Sequence, residues 1–394
     1  MKHADIQRIH DAGLISEEQR LRIIGHFGLQ EDSSRFLAIM LGLGAVLASA
    51  GIVLMVASNW EQIPPMVKLA SGLILMVGAY AGGWLLRDQR GDYPQVGEAL
   101  YLVGAGMFLA NIALVGQIYN LSSRFPNAIL LWWVGIAGLP WILRSRPLHI
   151  VSLLAFGFWF GSEVCSHDGW FFFDTGTAPL LLFAALGLIY HGWGTCLRRS
   201  GWSEFAPETE NLGLLGFLGV LYLLTIGPFT YEIRPVENRT LMLFGAMAAA
   251  GLGLLGFGLL REPKLTGQWR LTWIASWTVV VGLMVWALLG GAERRAEYSG
   301  WFTGTPVSYG AILVLFVLCL ILIQVGVILG RPSLLNFGVT FVALDVITTY
   351  LTLIGSMART GLMFLISGVF LIAFGFYLEK KRRSLLRQLK AQAV

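Results

Sequence analysis

From Phe36 to Tyr377, long apolar runs alternate with short polar breaks. Each run holds roughly 17 to 25 residues, enough for a helix to cross a hydrocarbon core of about 30 Å. The runs fall at about 36–57, 66–86, 97–117, 127–143, 148–165, 178–197, 211–230, 240–260, 271–290, 309–330, 333–355 and 360–378. The pattern predicts an all-α fold, a polytopic transmembrane helix bundle of about 12 spans.

The only sizeable polar segment, residues 1–34, precedes the first run. Within "ADIQRIHDAGLISEEQRLRIIGHF", Ile6 and Ile9 give a small apolar face, Gly13 stops a first helix and "SEEQ" starts a second. Ser16 and Gln19 have capping-box spacing, in which the hydroxyl accepts the N3 amide while the Gln side chain reaches back. Leu14, Ile15, Leu21, Ile23 and Ile24 supply further apolar contacts. This helical hairpin either lies on the membrane or the bundle, or docks a protein partner or a second protomer; burial of the same stripe would drive both. The expected divisions are the hairpin at 1–34, about four spans in 35–145, about eight in 146–378, and a basic tail at 379–394.

Composition agrees with the lipid bilayer as the main partner. Hydrophobic residues make up 56% of the chain, charged residues 13%, and mean hydropathy is +0.69, whereas a soluble domain carries about 25% charged residues. With a cytoplasmic N-terminus, most of the 28 Lys and Arg residues fall on the cytoplasmic side, as the positive-inside bias requires. That set includes Arg87, Arg90, Arg144, Arg146, Arg198, Arg199, Arg261, Lys264, Arg270 and the tail "EKKRRSLLRQLK". Both termini are therefore expected in the cytoplasm, with the tail touching anionic headgroups. The pI near 9.2 follows from topology and implies no nucleic-acid partner. No cleavable signal peptide is expected, so the first run serves as signal and anchor together. Cys165, Cys196 and Cys319 are too scattered for a disulfide framework.

Glycine is abundant, at 48 residues, and "LGLGAVLASAG", "NLGLLGFLG" and "GLGLLGFGLL" space small residues so that helices can approach closely. Trp60, Trp84, Trp132, Trp133, Trp170, Trp202, Trp269, Trp301 and Tyr377 sit at predicted boundaries, matching an interfacial aromatic belt.

Ionisable groups inside a membrane are costly and usually face the protein interior. Asp345 lies near the middle of the eleventh run, and helical spacing places Phe341, Asp345, Thr348, Thr349 and Thr352 on one face. The acid is either a proton or cation site continued by a hydroxyl stripe, or a hydrogen-bonded lock between helices. The third run, "EALYLVGAGMFLANIALVGQIYN", adds Glu98 at its start, Asn111 inside, and Gln117, Tyr119 and Asn120 at its end. Glu98, Asn111 and Gln117 join the candidate solute or ion site; the alternatives are helix-dipole stabilisation for Glu98 and an interhelical hydrogen bond for Asn111. In "ASNWEQIPPMVKL", Trp60 anchors a turn in which Glu61 and Lys68 are placed to pair, either a rigid corner or an external gate. Gln324 is expected to be a buried packing amide. Glu163, Cys165, His167 and Asp168 in "EVCSHD" are donor-rich, but no second cluster completes a zinc geometry. P-loop, dinucleotide and nucleophile-elbow signatures are missing, so neither an enzyme nor a cofactor is expected.

Three stretches, "GLISEEQ", "ASNWEQIPPMVKL" and "EALYLVGAGMFLANIALVGQIYN", occur in an order that resembles the bacterial membrane-protein family catalogued as domain of unknown function 2157, over roughly residues 3 to 145. The ending "RPSLLNFGVTFVALDVITTY…LISGVFLIAFGFYLEKKRR" is similar to that of its relatives. The resemblance implies a polytopic bacterial inner-membrane protein with a cytoplasmic helical hairpin, and it transfers no catalytic residue. Two functions follow: a proton- or cation-linked permease of a small solute or lipid built around Asp345, or a non-transporting scaffold, sensor or assembly factor acting through the hairpin.

Overall fold

A computed structural model describes residues 10, 12–13, 15–20, 22, 60–91, 93–121, 124–165, 178–226, 238–260, 262–289, 306–354, 368–369, 371–376 and 379–383. By internal contacts the chain forms two units, Met1–Ser71 and Gly72–Val394.

In the first unit the capping box forms as expected. Gln19 N donates to Ser16 Oγ at 3.3 Å, and Ser16 N donates to Gln19 Oε1 at 2.9 Å. Gly13 turns the chain at φ +70°, a conformation that costs glycine nothing. Around the short 3-10 turn Trp60–Gln62, Lys68 does not take Glu61 as its partner. Its ammonium lies 4.5 Å from the Trp60 ring centroid, where the ring face attracts a cation directly.

Among the described residues, eleven α-helices follow up to Ile354. They are α1 (Pro65–Gly83), α2 (Pro94–Ile118), α3 (Phe125–Ile136), α4 (Leu139–Leu143), α5 (Arg146–Cys165), α6 (Ala178–Leu197), α7 (Ala206–Leu223), α8 (Asn238–Leu260), α9 (Gly267–Leu288), α10 (Pro306–Leu329) and α11 (Pro332–Ile354). Prolines at or beside the first helical position start several of them, where a missing N–H costs nothing. Among the described residues, nine helical stretches are long and apolar enough to cross a membrane, and each coincides with an expected run. A tenth expected run is α7, whose first turns carry Glu208 and Glu210. The first run, and most of the last, lie outside the described residues.

Among the described residues the second unit has a large core, a smaller one, and a third cluster in which Trp141, Trp193 and Trp202 pack on Leu197, Phe205 and Ala206. In the large core α6 is wrapped by α7 and α8, and α10 pairs with α11. In the smaller core α2, α3 and α5 enclose Tyr101, Ala105, Ile136, Leu148 and Ala155. Burial reflects this layering: α6 is mostly buried, whereas α1 is mostly exposed. Most exposed side chains of α1, such as Leu73, Ile74 and Leu75, are apolar, as lipid-facing positions should be.

Small residues set the closest helix approaches, as their spacing implies. A Cβ on Gly213 of α7 would stand 2.3 Å from His191 N of α6, and one on Gly251 of α8 would stand 2.7 Å from Leu188 Cγ. Gln324 departs from expectation, because it lies on the exposed face of α10. The buried face of α10 is Leu315, Leu318, Cys319, Leu322 and Val325, and helical rotation turns position 324 away from it.

Candidate functional site

Helical spacing puts Phe341, Val342, Asp345 and Thr348 on the buried side of α11. Gly338, two turns before the acid, draws the α10 and α11 backbones together; a Cβ there would stand 2.9 Å from Cys319 O. Asp345 is 1% exposed, and its Oδ1 is buried without a hydrogen-bond partner among the described residues. Helix α7 closes the third side. Its Tyr222 hydroxyl lies 2.8 Å from Thr348 Oγ1, and its ring meets Phe341 edge-on at 6.3 Å. No basic side chain pairs with Asp345 among the described residues. A buried polar atom without a partner is expensive, and a proton or cation bound at the carboxyl would relieve that cost.

The other candidates do not converge on this acid. Thr349 is half-buried on α11, and the side chain of Thr352 lies outside the described residues. Helix α2 packs on α3 and α5, whereas α11 packs on α10 and α7. Asn111, buried on α2, donates from Nδ2 to Gly72 O at 3.1 Å and to Met107 O at 2.8 Å. A Cβ on Gly72 would stand 2.2 Å from Asn111 Oδ1, so the pair is a tight helix joint. Gln117 faces outward at the end of α2, apart from Asn111.

Glu98 belongs to a polar clamp. A π-helical turn, Trp84–Gln89, ends α1 and aims Arg87 at Glu98 Oε1, 3.1 Å away. The same guanidinium donates to Leu143 O at 2.8 Å and to Arg144 O at 2.9 Å, while Ser145 Oγ donates to Glu98 Oε2 at 2.5 Å. Tyr101 donates to Asp88 beside it. Arg144 takes φ +48° to make this turn. Three chain segments are thereby pinned at one end of the smaller core.

Of the donor-rich "EVCSHD" stretch, Glu163 is buried and paired with Arg124 at 2.7 Å, Cys165 is exposed, and His167 and Asp168 lie outside the described residues.

Sequence reasoning missed a second network. Glu210, 1% exposed in the second turn of α7, receives Arg198 Nε at 2.5 Å and Arg198 Nη2 at 2.6 Å in a two-pronged pair. Arg331, in the turn between α10 and α11, reaches Glu210 Oε1 at 3.4 Å and Glu262 Oε2 at 3.1 Å. Arg199 Nη2 lies 3.6 Å from Glu262 Oε1, and Arg270 donates to Glu262 O at 2.6 Å. Burial pushes the Arg331 guanidinium below the ordinary arginine value, and Glu210 pulls it back up. The available signal was an acid-rich helix start, "PETE", facing the one arginine of the tight turn "GRP".

A cleft of about 770 Å³ lies between α3, α4, α5 and α6, with Met247 of α8 on its wall. Trp133, Trp141, Phe156, Trp159, Tyr190 and Trp193 supply most of its surface.

Apolar spans, an all-helical fold and ion pairs gathered at helix ends define a polytopic integral membrane protein. Residues 7–149 match the family model described as "Predicted membrane protein (DUF2157)", the family that the N-terminal motifs resemble. The match takes in the Glu98 clamp and Asn111 and ends at His149, so Asp345 lies beyond it. No curated protein and no solved structure matches the chain.

Proposed function

We propose that this chain is a proton- or cation-linked permease of a small solute or lipid, without an enzymatic step. We place it in the bacterial cytoplasmic membrane with both termini in the cytoplasm. The carrying observation is Asp345, a carboxyl enclosed at mid-helix with an oxygen that has no partner among the described residues. An intramembrane acid of this kind is by default a site of ion or proton handling. The Tyr222–Thr348 hydroxyl pair continues the polar track from it. The test is decay of an imposed pH gradient in proteoliposomes of the purified protein, wild type against Asp345→Asn. Faster decay with wild type is expected. Equal decay would remove Asp345 from a proton-linked mechanism.

The enclosure of Asp345 among α7, α10 and α11 also suits the alternative, a non-transporting scaffold in which the acid fixes helix packing. On that reading the hairpin at 1–34 recruits the partner, and equal decay would direct a partner search there.

A further inference from the structure

We propose that the aromatic cleft between α3, α4, α5 and α6 binds one acyl chain of an anionic phospholipid, with the headgroup at Arg144 and Arg146. The inference stands apart from the proton-linked reading, since it uses none of the residues around Asp345.

The cleft's size falls in the range of about 300–1,000 Å³ typical of ligand sites, and its walls present carbon. Two of the polar groups among its lining residues are paired within the protein, and Trp159 Nε1 is buried without a hydrogen-bond partner among the described residues. Tyr190 OH donates to Leu153 O at 2.9 Å, and His149 Nε2 meets Thr209 Oγ1 at 2.7 Å. What remains for an occupant is a face of aromatic rings and aliphatic side chains. On helices that cross a bilayer, such a face meets hydrocarbon, and aromatic rings bury much area at low conformational cost.

The end of the cleft fixes the headgroup charge. Trp141 lines the cleft and meets Trp202 edge-on at 5.2 Å. Arg144 lies over the ring of Trp202, its Cζ 5.3 Å from the centroid. It is exposed, and no acid pairs with it among the described residues. Arg146, three residues before the cleft-lining His149, is 59% exposed and only loosely paired with Glu208, at 3.9 Å. Arg144 over Trp202 and the largely exposed Arg146, two residues apart at a helix boundary, suit a phosphate of a lipid headgroup.

The test reconstitutes the full chain with phosphatidylglycerol carrying a photoreactive acyl chain, and in parallel with phosphatidylcholine carrying the same chain. Labelled peptides are mapped after illumination. The expected result is labelling within 149–160 and 186–193, with about thirtyfold more from phosphatidylglycerol, the preference two arginines near the surface provide at about 1 kcal/mol each. Arg144→Ala with Arg146→Ala should retain the labelling and lose the headgroup preference. Ser152→Trp, which fills the cleft, should lose the labelling there and keep it on the exposed 73–75 face of α1. Equal labelling of the cleft and the 73–75 face would overturn the site. Equal yields from the two lipids in wild type would overturn the anionic headgroup. An unlabelled cleft whose peptides cross-link to a second chain would assign it to a copy of this protein instead.

Discussion

The hydroxyls of Tyr222 and Thr348 meet at 2.8 Å across the contact between α7 and α11, three residues along the helix from Asp345. Tyr222→Phe and Thr348→Val should each destabilise the bundle, since each leaves the other hydroxyl without its partner. A double-mutant cycle should give a coupling of about 0.6 kcal/mol, with about 1.7 kcal/mol as the upper end for hydrogen bonds between membrane helices. Reversible unfolding in mixed micelles measures it. A coupling of zero would mean that the pair does not hold α7 to α11.

Replacing Asp345 with an apolar residue separates stability from function. Asp345→Leu removes an unpartnered buried oxygen and lets carbon pack against α10, so its melting temperature should equal or exceed that of wild type. On the permease reading the same variant should lose proton flux. A large fall in melting temperature would instead mark the acid as a packing lock.

The helices were legible because lipid imposes one rule on every span: the runs from 66–86 to 333–355 became helical, although 127–143 is divided into α3 and α4 and the run expected at 211–230 is a helix over 206–223. The capping box at Ser16 was legible because its partners are three residues apart. Asp345 stood out because a carboxylate in an apolar run is conspicuous. What could not be read was pairing at a distance. Glu210 and Arg331 are separated by 121 positions, and nothing local to either names the other. The expected burial of Gln324 failed for a related reason, since a uniformly apolar helix does not reveal which face meets its neighbours.

The Glu210 network should be the most sensitive polar feature of the fold. Glu210→Gln leaves Arg198 and Arg331 partly buried without their shared carboxylate, and breaking a buried pair from one side costs about 3–5 kcal/mol. Chemical unfolding should show a loss of that order. Because Glu210 is 1% exposed, raising ionic strength should reduce the loss only slightly. A change under about 1 kcal/mol, the usual worth of an exposed pair, would show that water reaches the network.

Two glycines of one helix make the sharpest packing test. A Cβ on Gly213 would stand 2.3 Å from His191 N, whereas around Gly219 nothing lies within 4 Å. His191 N belongs to the α6 backbone, so it cannot swing aside as a side-chain end would, and α6 is also held by α8 through its adjacent face at Leu188, Gly192 and Thr195. Gly213→Ala must therefore separate α6 from α7, and overpacking of this kind costs about 1–3 kcal/mol. Gly219→Ala meets no neighbour and replaces a poor helix former with a good one, which should stabilise by up to about 1 kcal/mol. Thermal unfolding of the two variants in the same detergent should move in opposite directions. If both rise, α6 and α7 do not touch at Gly213; if both fall, the half-buried Gly219 serves a contact with another molecule.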